Sequence, residues 1–234
     1  MLPILASATA LVLLIGFYLA LIVAPPDYQQ GESVRIMFVH VPAAIMAEGV
    51  YYVVAMASFI ALVWRHPLAD IGAQAAAPLG AAFTLVCLVT GSLWGRPMWG
   101  TWWAWDARLT SVLILFFLYL GYIALASAFD DPGRGARAAS VLALIGVVDL
   151  PVVKFSVNWW NTLHQPASIL RAGGPMIDKS MLVPLMVMVL GFLLLFATLL
   201  LVRMRTALNQ RRARAVQLSA LMPRPPASAS PVLR

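Results

Sequence analysis

Six long apolar runs, at residues 3–24, 39–63, 73–94, 109–128, 139–153 and 180–202, constrain this chain more than any other feature. A helix needs about 20 apolar residues to cross the hydrocarbon core of a bilayer. The fold class read from these runs is an all-α integral membrane protein with about six transmembrane helices. The fifth run is the least regular, because Asp149, Pro151 and Lys154 interrupt its end. The first lacks the basic flank of a signal peptide and is too long for one, so it is expected to stay as a span. Composition agrees: 62% of the 234 residues are hydrophobic and 11% charged, whereas soluble domains run nearer half and a quarter. A soluble enzyme, a nucleic-acid-binding module and a disordered protein are thereby excluded.

The net charge of +7 is unevenly placed. Seven of the 16 basic residues (Arg203, Arg205, Arg211, Arg212, Arg214, Arg224 and Arg234) follow the last apolar run, and no acid follows Asp178. The body is therefore neutral, and the basic balance implies no nucleic-acid partner. With both termini cytoplasmic, ten Lys/Arg residues lie inside and six outside, which favours that orientation and rests it on the tail. Residues 203–234 read as a disordered basic tail that holds the C-terminus inside and touches anionic lipid. Residues 1–202 read as the membrane domain.

On that topology the two inner loops are short, whereas the outer segments 25–38, 95–108 and 154–179 are rich in aromatic, charged and His residues. Function is expected on the outer face. Cys87 stands alone in an apolar run and reads as packing. There is no C-x-x-C-H and no P-loop, so the chain is not read as a c-type cytochrome, and ATP chemistry would need a partner. Glu48, Asp149 and Lys154, within or near spans, are expected to be paired or to meet a partner subunit.

Five of eight tryptophans fall within twelve residues: Trp94, Trp99, Trp102, Trp103 and Trp105, with Arg96, Asp106 and Arg108 among or beside them. Starting a helix at Pro97 puts Trp99, Trp102, Trp103 and Asp106 on one face about 100° wide, an outer-face amphipathic segment along the membrane surface. An interfacial aromatic belt accounts for one or two tryptophans per helix end. Five beside an acid and two arginines point instead to a shelf for a large flat apolar ring with an anionic rim. His40 opens the second span, and His164 follows Trp159-Trp160 in the third outer segment. An isolated interfacial histidine is most often structural, but two on one face beside an indole shelf suit the axial positions of one heme iron. His66, beside Pro67, reads as a solvated loop residue.

The stretch Trp94-Gly95 through Trp99-Gly100-Thr101-Trp102-Trp103-Ala104-Trp105-Asp106-Ala107-Arg108-Leu109-Thr110 resembles the WWD signature of the heme-handling proteins of cytochrome c biogenesis. The segment from Lys154-Phe155-Ser156-Val157-Asn158-Trp159-Trp160 to Thr162-Leu163-His164-Gln165-Pro166 is similar to a second signature found in the heme exporter protein C branch. The resemblance covers residues 1–202, with the WWD segment at 94–110. It implies a protein of the bacterial inner membrane that binds heme b at the periplasmic face. The WWD segment and Trp159-Trp160 would lie against the ring, with His40 and His164 as axial ligands. It also implies an ATP-binding-cassette ATPase with its membrane subunit, a small single-span subunit, and a periplasmic heme chaperone that receives the heme. The chain is expected to deliver rather than catalyse. Arg96, Arg108 and Arg171 are candidates for the propionates, and Asp106 is expected to fix the Trp segment by pairing with an arginine or capping the following span. The rival readings are a transporter that moves heme across the bilayer and a heme-free scaffold of the ATP-binding-cassette complex.

Overall fold

The computed structural model describes residues 1–164 and 173–221. Seven α-helices run through these residues: α1 Leu2–Tyr18, α2 Met37–Trp64, α3 Pro67–Trp99, α4 Ala107–Ser127, α5 Pro132–Gly146, α6 Asp149–Trp159 and α7 Lys179–Leu221. A π-helical turn, Leu19–Val23, extends α1, and a 3-10 turn, Glu32–Ile36, leads into α2. Taking α5 with α6 as one segment, six stretches are long and apolar enough to cross a membrane. The expected all-α, six-span membrane architecture is the one observed.

Local chemistry sets the helix ends. Arg65, at φ 52, is in the left-handed conformation that closes α2, and Pro67 opens α3 where a missing N–H costs nothing. His66, expected in a loop, is the exposed N-cap between them. Asp131 accepts the Gly133 N–H at 2.8 Å to start α5. Asp178 accepts both the Ser180 hydroxyl (2.6 Å) and its N–H (2.8 Å), which hold this carboxyl below its ordinary range at the start of α7.

The α2–α3 hairpin forms the centre. α1 packs on α7 along one flank and α4–α6 cover the other. Contact between spans depends on small residues, because lipid is as apolar as leucine and cannot drive association by itself. Ala73, Ala76 and Ala77 are fully buried on α3, and a Cβ on Gly80 would overlap the Tyr119 ring of α4. Tyr119 also donates to the Ala47 carbonyl at 2.8 Å, tying α4 to α2. Exposed Ile4, Leu11, Leu14, Leu190 and Leu193 face outward from α1 and α7, as expected of lipid-facing positions.

Three sequence expectations need correction. The fifth run, 139–153, is two helices broken at Val147-Val148, because Asp149 and Pro151 interrupt the ladder while Pro132 with its Asp131 cap starts α5 earlier. The amphipathic Trp helix starting at Pro97 is absent. Instead α3 runs through Pro97 to Trp99 and stops at Gly100 (φ 76), whose N–H bonds the Arg96 carbonyl. Residues 101–106 then form an irregular loop. A proline near a helix C-terminus loses one bond without ending the helix, and glycine in the left-handed region is what ends it. Third, residues 203–221 continue α7 as helix where a disordered tail was expected. Arg224 and Arg234 lie outside the described residues.

Candidate functional site

The C-terminal end of α1, the N-terminus of α2, the C-terminus of α3, the N-terminus of α4, the C-terminus of α6 and the N-terminus of α7 share one end of the bundle. The aromatic signatures therefore converge there, and the arginines of α7 lie at the other end.

His40 sits in the first turn of α2 and is buried, 8% exposed. Its Nδ1 lies 3.1 Å from the Cys87 carbonyl and 3.1 Å from Thr90 Oγ1, both on α3. A carbonyl only accepts, so Nδ1 carries the proton and Nε2 keeps its lone pair. Thr90 donates to the Val86 carbonyl at 2.6 Å and is thereby oriented to accept from the ring. A histidine whose second nitrogen is held by a carbonyl is the usual arrangement of a metal-ligating imidazole. Gly91 makes room for it: a Cβ there would stand 3.0 Å from His40 Cε1.

His164 approaches from the loop after α6. Its ring centre lies 6.5 Å from that of His40, with planes inclined by 29°. Two imidazoles on opposite sides of one iron have ring centres roughly 6 Å apart, taking metal–nitrogen bonds of about 2 Å and ring half-widths of about 1.2 Å. The observed separation of the ring centres is close to that distance. Trp94 meets His40 edge-on at 5.7 Å, and Trp99 meets His164 at 6.1 Å. The Trp94 indole N–H donates to Gln30 Oε1 at 3.0 Å, which anchors the ring from the segment before α2.

Asp106 links the two signatures. Its Oδ1 accepts the Leu109 N–H at 2.8 Å as the N-cap of α4, and its Oδ2 accepts the Thr162 hydroxyl at 2.5 Å and the Leu163 N–H at 3.3 Å. Thr162 Oγ1 in turn accepts the His164 N–H at 3.0 Å. Of the two roles expected of Asp106, capping is observed. No described arginine pairs with it; the ion pairs among the described residues are Glu32–Arg35 and Asp70–Arg211.

The remaining tryptophans divide into three groups. Trp103 and Trp105 pack edge to face at 5.5 Å, and the Trp103 Nε1 is buried without a partner among the described residues. Trp102 lies under the Arg96 guanidinium, 6.0 Å from its carbon, while Arg96 also donates to the Gly100 carbonyl. Trp159 and Trp160 pair at 5.7 Å, and both are more than half exposed. His40, His164, Trp94 and Trp99 thus form one cluster. Trp102, Trp103, Trp105, Trp159 and Trp160 make their ring contacts outside that cluster, so the tryptophans do not form the single shelf expected. Arg108 stands in the first turn of α4, where its charge opposes the helix dipole. Arg171 lies outside the described residues. Glu48, Asp149 and Lys154, for which pairing was one expectation, form no ion pair among the described residues.

Sequence reading missed Gln30, Cys87 with its carbonyl, Thr90, Gly91 and Thr162. A signal existed for the α3 set: positions 87, 90, 91 and 94 recur at helical spacing and end in a candidate tryptophan. For Gln30 and Thr162 nothing local distinguishes them from other loop residues.

Comparison with known proteins carries the resemblance past residue 202, the boundary expected from the sequence. The family model described as heme exporter protein C matches residues 1–219. Heme exporter protein C of Bradyrhizobium diazoefficiens is 61% identical over 217 residues, covering 93% of this chain and 82% of that protein. Heme exporter protein C of Escherichia coli is 55% identical over 203 residues, covering 87% and 82% respectively. A Marchantia polymorpha mitochondrial protein named for cytochrome c biosynthesis is 51% identical over 180 residues, covering 77% and 76%.

Proposed function

The chain belongs to the heme exporter protein C family, and from that premise we propose that it holds heme b at the aromatic end and hands it to a heme chaperone for c-type cytochrome assembly. The observation that carries this reading is the His40–His164 pair, 6.5 Å between ring centres, with His40 preset to offer Nε2. The names of the relatives support heme handling in cytochrome c biogenesis as the general role. Delivery to a chaperone at the periplasmic face, with both termini cytoplasmic in an inner membrane, is the finer proposal. Work alongside an ATP-binding-cassette ATPase, its membrane subunit and a small single-span subunit belongs to the same proposal.

In this reading His40 and His164 would together hold the iron and would leave it no open site for oxygen chemistry. The half-exposed Trp102, Trp159 and Trp160 and the more exposed Trp105 give a flat ring apolar contact while leaving an edge open to a partner. Arg108 is the better propionate partner of the two described candidates. Arg96 is already engaged by the Gly100 carbonyl and Trp102, whereas an anion beside Arg108 would relieve its position at a helix N-terminus. The Trp103 N–H, without a partner among the described residues, supplies a further donor. The chain acts as a holder and presenter, and no step of covalent catalysis is assigned to it.

The test is a visible absorption spectrum of the purified protein beside His40→Ala and His164→Ala. A low-spin bis-histidine spectrum that is lost or turns high-spin in both variants supports the proposal. A spectrum indifferent to either histidine removes that ligand, and no Soret band under heme-replete expression leaves a membrane scaffold.

A further inference from the structure

At the end opposite the histidines, α7 leaves its apolar run at Arg203 yet stays helical to Leu221. At 100° per residue Arg203, Arg211 and Arg214 fall within about 80° of one another, while Arg205 and Arg212 lie on the opposite face. The first three line a cleft of about 640 Å³ between α7 and the N-terminal part of α3, with Gln74 and Gln210 as its polar neighbours. Asp70 meets these arginines, accepting from Arg211 Nη2 at 3.0 Å and from Gln74 Nε2 at 2.7 Å. Arg203 donates from Nε to the Ala75 carbonyl at 2.9 Å, which fixes its guanidinium at the rim. Neither its other N–H groups nor any of Arg214 bond to another described residue. Three guanidinium groups against one carboxylate leave a preset excess of donors and positive charge.

A second cavity, of about 230 Å³, shares Gln74 and Arg203 with the first and continues between α3 and α4 along Pro78, Ile123 and Ala126. The two limbs differ in chemistry: a cationic cleft where the apolar run ends, and a smaller groove between α3 and α4 in which Pro78, Ile123 and Ala126 stand beside Gln74, Tyr122, Ser127 and Arg203.

We propose that this pair of cavities binds an anionic phospholipid, its phosphodiester in the arginine cleft and part of its acyl chain in the α3–α4 groove. A guanidinium fork suits a phosphate, and basic pockets between spans at the membrane surface take acidic lipid headgroups. Pro78, Ile123 and Ala126 give an acyl chain a surface to lie on, a contact that a soluble anion would not use. Bound lipid would tie α7 to α3 and α4.

The experiment uses the full-length protein reconstituted in vesicles of equal phosphatidylglycerol and phosphatidylcholine, extracted gently, with retained lipid counted by native mass spectrometry. Each cleft arginine near the surface is worth about fivefold in preference. The parent protein is expected to retain phosphatidylglycerol at least about tenfold over phosphatidylcholine. The double variant R211Q/R214Q should bring that ratio close to the bulk ratio, whereas R205Q/R212Q should leave it unchanged. Asp70→Asn removes the competing carboxylate and should raise retention, which gives a second readout if R211Q/R214Q does not yield monodisperse protein. Equal losses in both double variants would overturn the proposal in favour of diffuse charge. Full displacement of lipid by inorganic phosphate would make the cleft a soluble-anion site. Unchanged lipid retention in R211Q/R214Q, with loss of co-purifying ATPase, would make it a protein-docking surface. Unchanged or lowered retention in Asp70→Asn would likewise count against it.

Discussion

The two histidines reach the same place by different means. His40 is part of a transmembrane helix, buried against α3, with its ring nitrogen fixed by a helix carbonyl and a threonine. His164 is on a loop, and the polar contacts described around it run through Thr162 to a carboxylate on another segment. A helix presents a side chain with the rigidity of its whole packed length, whereas a loop needs a clamp. One histidine is thus fixed by the packing of two spans, and the loop of the other is tied to Asp106 through Thr162.

That asymmetry yields predictions of decreasing size. The largest effect is loss of a ligand. His40→Ala should remove most of the heme, and His164→Ala should leave a reduced, high-spin fraction held from the α2 side. Pyridine hemochrome quantitation of the two purified variants measures this, and the reverse order would end the rigid-versus-clamped distinction.

Next comes the clamp. Asp106→Asn keeps a good N-cap for α4 but weakens the acceptor of Thr162 and Leu163. Heme affinity should fall about 10- to 100-fold, as for other groups that orient a ligand, with unchanged thermal unfolding. Asp106→Ala should lose stability as well, by about 1 kcal/mol for the cap. In a His164→Ala background Asp106→Asn should add little, because the two act through one group. Full additivity in heme titration would show that Asp106 acts elsewhere.

Smaller still is displacement of the rigid ligand. In Gly91→Ala the new methyl would lie 3.0 Å from His40 Cε1, so the ring must give by a few tenths of an ångström. About a tenfold weaker heme affinity is expected, on the scale of an orienting contact, with a shifted Soret maximum. Thr90→Val is the mildest, because the Cys87 carbonyl still holds Nδ1. One hydrogen bond of about 1 kcal/mol corresponds to about fivefold in affinity. An equilibrium heme titration that ranks Thr90→Val above Asp106→Asn would invert the comparison.

Much of this was legible beforehand, and the failures have physical causes. Hydropathy located the six spans, since apolar length is a property of the chain itself. It misjudged the fifth, where Pro132 begins α5 well before the apolar residues do and Asp149 breaks the path. The Trp segment was recognised by composition but given the wrong local shape. Pro97 was read as a start, whereas the hydrogen bonds of α3 carry the helix past it to Gly100. The arginine run was read as disordered on composition, yet Arg203 and Arg211 find partners on α3 that stabilise helix there.

The sequence by itself determined the membrane character of the chain, the segregation of aromatic and arginine-rich segments, and the choice of His40 and His164 as the candidate pair. These follow from local hydropathy, charge and residue type, which do not depend on what packs against what. Only the tertiary structure decided that His40 and His164, 124 positions apart, stand 6.5 Å from each other. It likewise decided that Asp106 holds the loop of the second, and that Arg203, Arg211 and Arg214 line one cleft while Arg211 pairs with Asp70. Each of these is a contact between elements distant in sequence, and its distance is set by helix packing and by which helix ends share a side of the bundle.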